Sequence, residues 1–180
     1  KAALFECYGS REEIVKRSKS RNKSQSERIP YSKAGDDEKV SRNWNKTCRL
    51  FSRREYSVAV IRCGTCVELA VNFAIRQELV VERKLPLLFV NRLLMSANGL
   101  RNKYLNLFLP IMEEYQEHDE LKRRWKNQIE KINKERNAVA HCGEFRSESV
   151  ALSILGKTYE ALRGIMDLYD HKAEIKEIKP

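Results

Sequence analysis

From Tyr56 to about Glu82 the chain runs for roughly 25 residues without a turn signal, a length that favours a helix over a buried strand. Val58, Ala59, Val60, Ile61, Cys63, Val67, Leu69, Ala70, Val71, Phe73, Ala74 and Ile75 surround most of that helix. Only Arg62, Thr65, Glu68, Asn72 and Arg76 break the apolar surface, at three- and four-residue steps that place them on one narrow stripe. A helix apolar nearly all round has to be covered nearly all round, so the fold must be built about this segment.

The flanking patterns supply the cover. Pro86 opens a second segment carrying Leu87, Leu88, Phe89, Leu93, Leu94 and Met95, and Asn98-Gly99 closes it, the expected start and stop signals of a helix. A third stretch, about 101–117, holds Tyr104, Leu105, Leu107, Phe108 and Leu109, and Pro110 should break or kink it. The fourth runs from about Asp119 to Cys142 with Leu121, Trp125, Ile129, Ile132 and Val139 as its apolar stripe, and Gly143 ends it. Ser147 and Ser149 lead into a fifth, about 148–170. The expectation is an all-α fold, a four- to five-helix bundle with short connections over residues 55–172, followed by a tail at 173–180.

The N-terminal third differs in composition. Residues 1–54 hold 15 Lys or Arg against 7 Asp or Glu, net +8, whereas the other 126 residues hold 20 against 18, net +2. Residues 15–47 are rich in Lys, Arg, Ser, Asn and Asp, with Ile29-Pro30-Tyr31 and Trp44 as the clear apolar points. This reads as a basic, partly irregular arm over 1–54, with a short helix at about 2–18, and basic arms most often meet polyanions. A solubilising tail is the plain alternative. The chain of 180 residues with 42% hydrophobic content suits one domain plus an extension. No charge-free apolar run reaches the ~18–20 residues of a membrane span, and no signal-peptide design follows Lys1, so a soluble, cytoplasmic fragment or processed form with no membrane partner is expected.

Five cysteines, at 7, 48, 63, 66 and 142, are an odd number, which argues against a disulfide framework. Cys63-Gly64-Thr65-Cys66 has redox or zinc spacing, yet it lies inside the continuous helical pattern with no second pair at zinc-ribbon spacing. Small packing residues between helices are the expected reading, and no metal or cofactor is assigned.

One stretch gathers polar chemistry, Lys134-Glu135-Arg136-Asn137-Ala138-Val139-Ala140-His141-Cys142-Gly143, and it contains one of only three histidines. Continuing the fourth helix's rhythm from Ile132 lands on Arg136, which therefore takes a core-facing slot. A buried guanidinium needs a partner for its donors, and Glu68 on the central helix's polar stripe is the expected one. A structural Arg136–Glu68 ion pair locking the bundle is one reading of the motif. At ~100° per residue Asn137, His141 and Lys134 share a face, with Arg136 turned some 140° from His141. Arg136 and His141 can then share a substrate only if the helix distorts or ends near them, or if two subunits bring their copies together.

Arg136, Asn137 and His141, with Val139-Ala140 and the trailing Gly143, resemble the signature of the HEPN family, small α-helical domains of prokaryotic toxin and antiviral systems and of some eukaryotic nucleases. The family pattern is Arg, a polar residue that is often Asn, three further residues and His, near a helix end in a four- or five-helix bundle. The resemblance covers about 55–170 by helix order. It implies a homodimer whose motif helices face each other across the two-fold axis, and metal-independent RNA cleavage in which the 2′-hydroxyl attacks phosphorus to leave a 2′,3′-cyclic phosphate. In that scheme His141 is general acid or base, Arg136 stabilises charge on the phosphoryl oxygens, and Asn137 orients His141 or the phosphate. Lys134 and the basic arm, with Trp44 or Tyr31 stacking on bases, would hold the RNA strand. An antitoxin or regulatory domain is the further partner implied. Toxin members often carry a modifiable Tyr three residues after the His; here that position is Glu144, followed by Phe145. Glu78 with Glu82-Arg83-Lys84 only loosely echoes a second family motif and assigns nothing. The competing readings are a non-cleaving HEPN-like module that binds RNA, a nucleotide or a protein partner, and a helical oligomerisation or regulatory domain with a structural Arg and His.

Overall fold

The computed structural model describes residues 29–115, 119–169 and 175. The expected helix at 2–18 and Cys7 lie outside the described residues. Every regular element among those described is helical. In chain order the helices are α1 (Asp36–Ser52), α2 (Tyr56–Arg76), α3 (Leu87–Ser96), α4 (Leu100–Lys103), α5 (Leu109–Met112), α6 (Asp119–Cys142) and α7 (Glu148–Asp167). Two π-helical segments continue α2 and α4, Gln77–Glu82 and Tyr104–Phe108. The chain divides into two units, Lys1–Ala34 and Gly35–Pro180. Of the first, residues 29–34 are described, and they contain one 3-10 turn at Tyr31–Lys33.

In the second unit α2 is the central helix, packed by α1, α6 and α7. Its Ala59, Val60, Cys63, Cys66, Val67, Ala70, Val71, Ala74 and Ile75 are fully buried, as an all-round apolar surface demands. Tyr56–Glu82 is also the described segment long and apolar enough to cross a membrane, and 61% of its most apolar window is buried by the helices around it. The polar stripe is used as a set of addresses for those neighbours. Arg62 Nη1 donates to Asn43 Oδ1 of α1 (2.9 Å), Glu68 Oε1 accepts from Lys103 Nζ of α4 (2.6 Å), and Arg76 bonds both Asp36 Oδ2 of α1 (2.5 Å) and Asn91 Oδ1 of α3 (3.1 Å).

The expectation of an irregular arm fails at residues 36–52, which form α1. Asp36, Asp37 and Glu38 occupy its first turn, where carboxylates oppose the positive end of the helix dipole. Val40, Trp44 and Thr47, at steps of four and three, are completely buried against the other helices. Trp44 packs near Tyr159 of α7, with ring centroids 6.2 Å apart, so it has no face to offer a base. The sparse apolar content of this helix hid a pattern that was correct in period. Burying Trp44 and Val40 adds several kcal/mol of transfer free energy, on the order of 1.5–3 for each large side chain.

Pro110 does not break its helix. It lies in the first turn of α5, directly after the π-helical turn Tyr104–Phe108, whose wider winding accommodates a ring with no N–H to donate. The π segment after α2 places the buried Glu78 carboxylate where Tyr115 and Tyr169 both donate hydroxyl hydrogen bonds to it, each 3.0 Å. Those two bonds fasten the residues after α5 and after α7 to the end of the central helix.

Candidate active site

Helix α6 sets the site through its own register. Trp125, Ile129 and Ile132 are buried, and the next slot of the same stripe falls to Arg136, which is half-buried. Its stem lies across α2 at Gly64: a Cβ added there would stand 3.0 Å from Arg136 Cγ and 3.4 Å from Cβ. Glycine in a helix interior costs ~1 kcal/mol relative to alanine, and the close passage of Arg136 is the physical return for that cost here.

The guanidinium end meets both other motif residues. Arg136 Nη1 donates to Asn137 Oδ1 at 2.8 Å and lies 3.2 Å from His141 Nε2. A guanidinium has donors only, so this contact is a hydrogen bond in the tautomer whose Nε2 accepts. Among the described residues Nε and Nη2 of Arg136 make no hydrogen bond. The trio is in contact within one protomer where α6 ends at Cys142, one of the alternatives that the 140° separation left open. A step of five residues rises about 7.5 Å along the axis; side chains on a helix lean toward its N-terminus, so His141 tilts back while the long Arg136 chain spans the rest.

The expected Arg136–Glu68 ion pair is absent. Glu68 instead pairs with Lys103, whose side chain is 12% exposed against 30% for Glu68. Its carboxylate is closer in register to α4 than to the guanidinium, which turns to the motif's own amide and imidazole. Glu68 nevertheless shares a cavity with the trio. This open cavity of about 310 Å³ is lined by Arg136, Asn137 and His141 of α6, Gly64, Thr65 and Glu68 of α2, and the turn between α3 and α4. Lys134 is exposed and does not line it.

The end of α6 is held firmly. Gly143 takes φ +68°, the left-handed conformation that glycine adopts without strain, and the Glu144 N–H returns to the Ala138 carbonyl at 3.2 Å. Arg146 then binds the following segment from three directions. Its Nε donates to Glu135 Oε2 (2.6 Å), its Nη1 to Glu144 Oε2 (2.8 Å), and its backbone N–H to Ser57 Oγ (2.9 Å). Glu144 is thus a partner of this clamp. Ser147 caps α7, accepting from the Val150 N–H at 3.5 Å.

Residue-type reasoning missed Gly64, Lys103 and Asn133, together with Asn98 of the α3–α4 turn and Arg101 and Asn102 of α4. Two of these left a trace in the sequence. Asn133, Asn137 and His141 recur every four residues, which makes one polar ridge on α6, and Gly64 is a glycine inside an otherwise apolar helix.

The Cys63 and Cys66 side chains are buried in the core, away from this cavity. Burial pushes the Cys66 thiol up to about 12 and the Cys63 thiol further still, and Cys48, Cys63, Cys66 and Cys142 are all free. Among the described residues no group of three or more His, Cys, Asp or Glu gathers as a metal site. Comparison of the chain with protein-family models, with curated proteins and with solved structures finds no match.

Proposed function

We propose that this chain is a HEPN-type endoribonuclease of a toxin–antitoxin or phage-defence system that cuts RNA without a metal cofactor. The observation that carries the reading is the contact of Arg136 Nη1 with both Asn137 Oδ1 and His141 Nε2 on the wall of an open cavity. A phosphodiester entering there meets the free Nε and Nη2 donors of Arg136, a fork matched to two phosphoryl oxygens. Engaging them draws the guanidinium toward the phosphate and frees His141 Nε2.

The reaction then needs two proton transfers. The 2′-hydroxyl oxygen forms a bond to phosphorus as its proton passes to a base, and the bond to the 5′-oxygen breaks as that oxygen takes a proton from an acid. The products are a 2′,3′-cyclic phosphate and a 5′-hydroxyl. His141 performs one of these transfers, Arg136 stabilises the charge that develops on the phosphoryl oxygens, and Asn137 holds Arg136 in place. Among the described residues His141 is the imidazole that lines the cavity, which leaves the second transfer open and favours a homodimer that presents two copies of His141 to one scissile bond.

The reading is tested on a mixed RNA pool in EDTA, with product ends identified by their need for cyclic-phosphate removal before ligation. Wild type is expected to leave 2′,3′-cyclic ends and His141→Ala to lose about 100-fold or more in rate. Equal cleavage by both proteins, or none by either, overturns the assignment. Sedimentation of the purified chain checks the dimer, and a strict monomer that still cleaves would remove the second subunit from the scheme.

A further inference from the structure

The cavity holds more recognition chemistry than phosphoryl transfer requires. Beyond the trio it is lined by Asn98 of the α3–α4 turn, by Gly99 at φ +82°, where the chain reverses, and by Arg101 of α4. Among the described residues the side chains of Asn98, Arg101 and Asn133 make no hydrogen bond, so their amides and guanidinium face the cavity uncommitted. Asn102 is different, since its Nδ2 is spent on the Asn98 carbonyl at 3.1 Å. Glu68 would repel a phosphate, but Lys103 compensates its charge at 2.6 Å. The result is a small polar chamber lined by a cationic fork, by the Asn133 amide on the same helix, and by Asn98 and Arg101 from the α3–α4 region.

We infer that this chamber is a subsite for one unstacked purine nucleotide of a single RNA strand, its base read by Asn98, Arg101 and Asn133 while Arg136 holds the adjoining phosphate. The inference rests on the ribonuclease reading and specifies its substrate. At about 310 Å³ the cavity stands at the small end of the ~300–1,000 Å³ range of ligand pockets, which suits one nucleotide and excludes a duplex. The major-groove base edges of paired RNA lie in a deep, narrow groove that side chains do not reach, so a purine read on that edge inside a concavity must leave its helix. An amide offers a donor beside an acceptor and matches adenine N6 and N7, and an arginine fork matches guanine O6 and N7. Pyrimidines present a single group on the corresponding edge, and neither residue type can bind it in bidentate fashion.

Two measurements test this on the intact chain, wild type against Asn98→Ala/Asn133→Ala, with melting curves confirming that both are folded. The first is calorimetric binding of adenosine, guanosine, uridine and cytidine 3′-monophosphates. The second is cleavage-site mapping on single-stranded oligonucleotides of mixed sequence and on the same sequences fully paired. Wild type should bind the purine nucleotides more tightly and cut beside purines in single strands only. The double variant should lose about 5- to 100-fold at purine positions and with them the preference. Purine-selective binding that the variant loses, in a protein that cuts no RNA, keeps the subsite and removes the nuclease reading. Cleavage with no purine preference, or a preference the variant retains, removes the subsite and leaves the nuclease reading standing. Tighter pyrimidine binding, or equal cutting of paired RNA, also overturns it.

Discussion

Within two turns of α2, Cys63 and Cys66 on one side and Gly64, Thr65 and Glu68 on another meet opposite surroundings. The thiols lie in the core, where Thr47 Oγ1 approaches Cys66 Sγ at 3.4 Å and burial holds both groups in their neutral form. The other face supports the Arg136 stem and opens on the cavity. A nucleophile needs access and an environment that favours its charged form, and the cysteine side has neither. The glycine side supports the stem of Arg136, whose guanidinium reaches both Asn137 and His141. Reactive residue types and functional surroundings are separate properties, and on this helix they fall on different faces.

The contrast breaks most readily at Arg136. Arg136→Lys keeps a positive charge and removes the fork, so cleavage should fall by about 100-fold while the melting temperature moves little, measured by single-turnover kinetics and thermal melts. Near-wild-type cleavage would mean that any cation suffices there. Gly64→Ala comes next. Its new methyl presses on Arg136 Cγ from 3.0 Å, and the displacement should cost roughly 10-fold in rate. Stability should stay level, because the ~1 kcal/mol helix gain of alanine offsets the tight contact, and a drop in both together would show a structural role only.

The cysteine side is sharpened by alkali and by alkylation. A thiol at 9.0 in the unfolded chain and at about 12 in the native one supports folding fully below pH 9 and loses that support as pH rises toward 12. Urea midpoints on either side of pH 9 should therefore fall further for wild type than for Cys66→Ser. Under native conditions iodoacetamide should modify the exposed Cys142 well before Cys63 and Cys66, as read by mass spectrometry. The smallest effect belongs to Glu68→Gln, which leaves Lys103 without its carboxylate in a partly exposed pair. About 1 kcal/mol or less of stability should be lost in urea titration.

Most of the helical layout was legible because apolar period and punctuation agree. Tyr56–Arg76 shows it by continuous hydrophobicity, the end of α3 by Asn98-Gly99, and the end of α6 by Gly143. Helix α1 was obscured because its charged residues outnumber its buried ones, although Val40, Trp44 and Thr47 keep helical spacing beneath an acidic first turn. The motif itself could be read, including the core-facing slot of Arg136, whereas its partner could not. Periodicity gives the direction of a Cβ, and the end of an arginine chain reaches far enough to cancel a 140° difference. The cavity rim was invisible for a related reason: Asn98 and Arg101 meet α6 only through the fold, and no local pattern announces that meeting.

One assay addresses the two faces together: cleavage of single-stranded RNA in EDTA by wild type, Cys63→Ser/Cys66→Ser and His141→Ala, all verified as folded. Wild type and the cysteine variant should cut at the same rate and leave 2′,3′-cyclic phosphate ends, and His141→Ala should lose about 100-fold or more. A cysteine variant that no longer cuts, beside a His141→Ala protein that still does, would contradict the account.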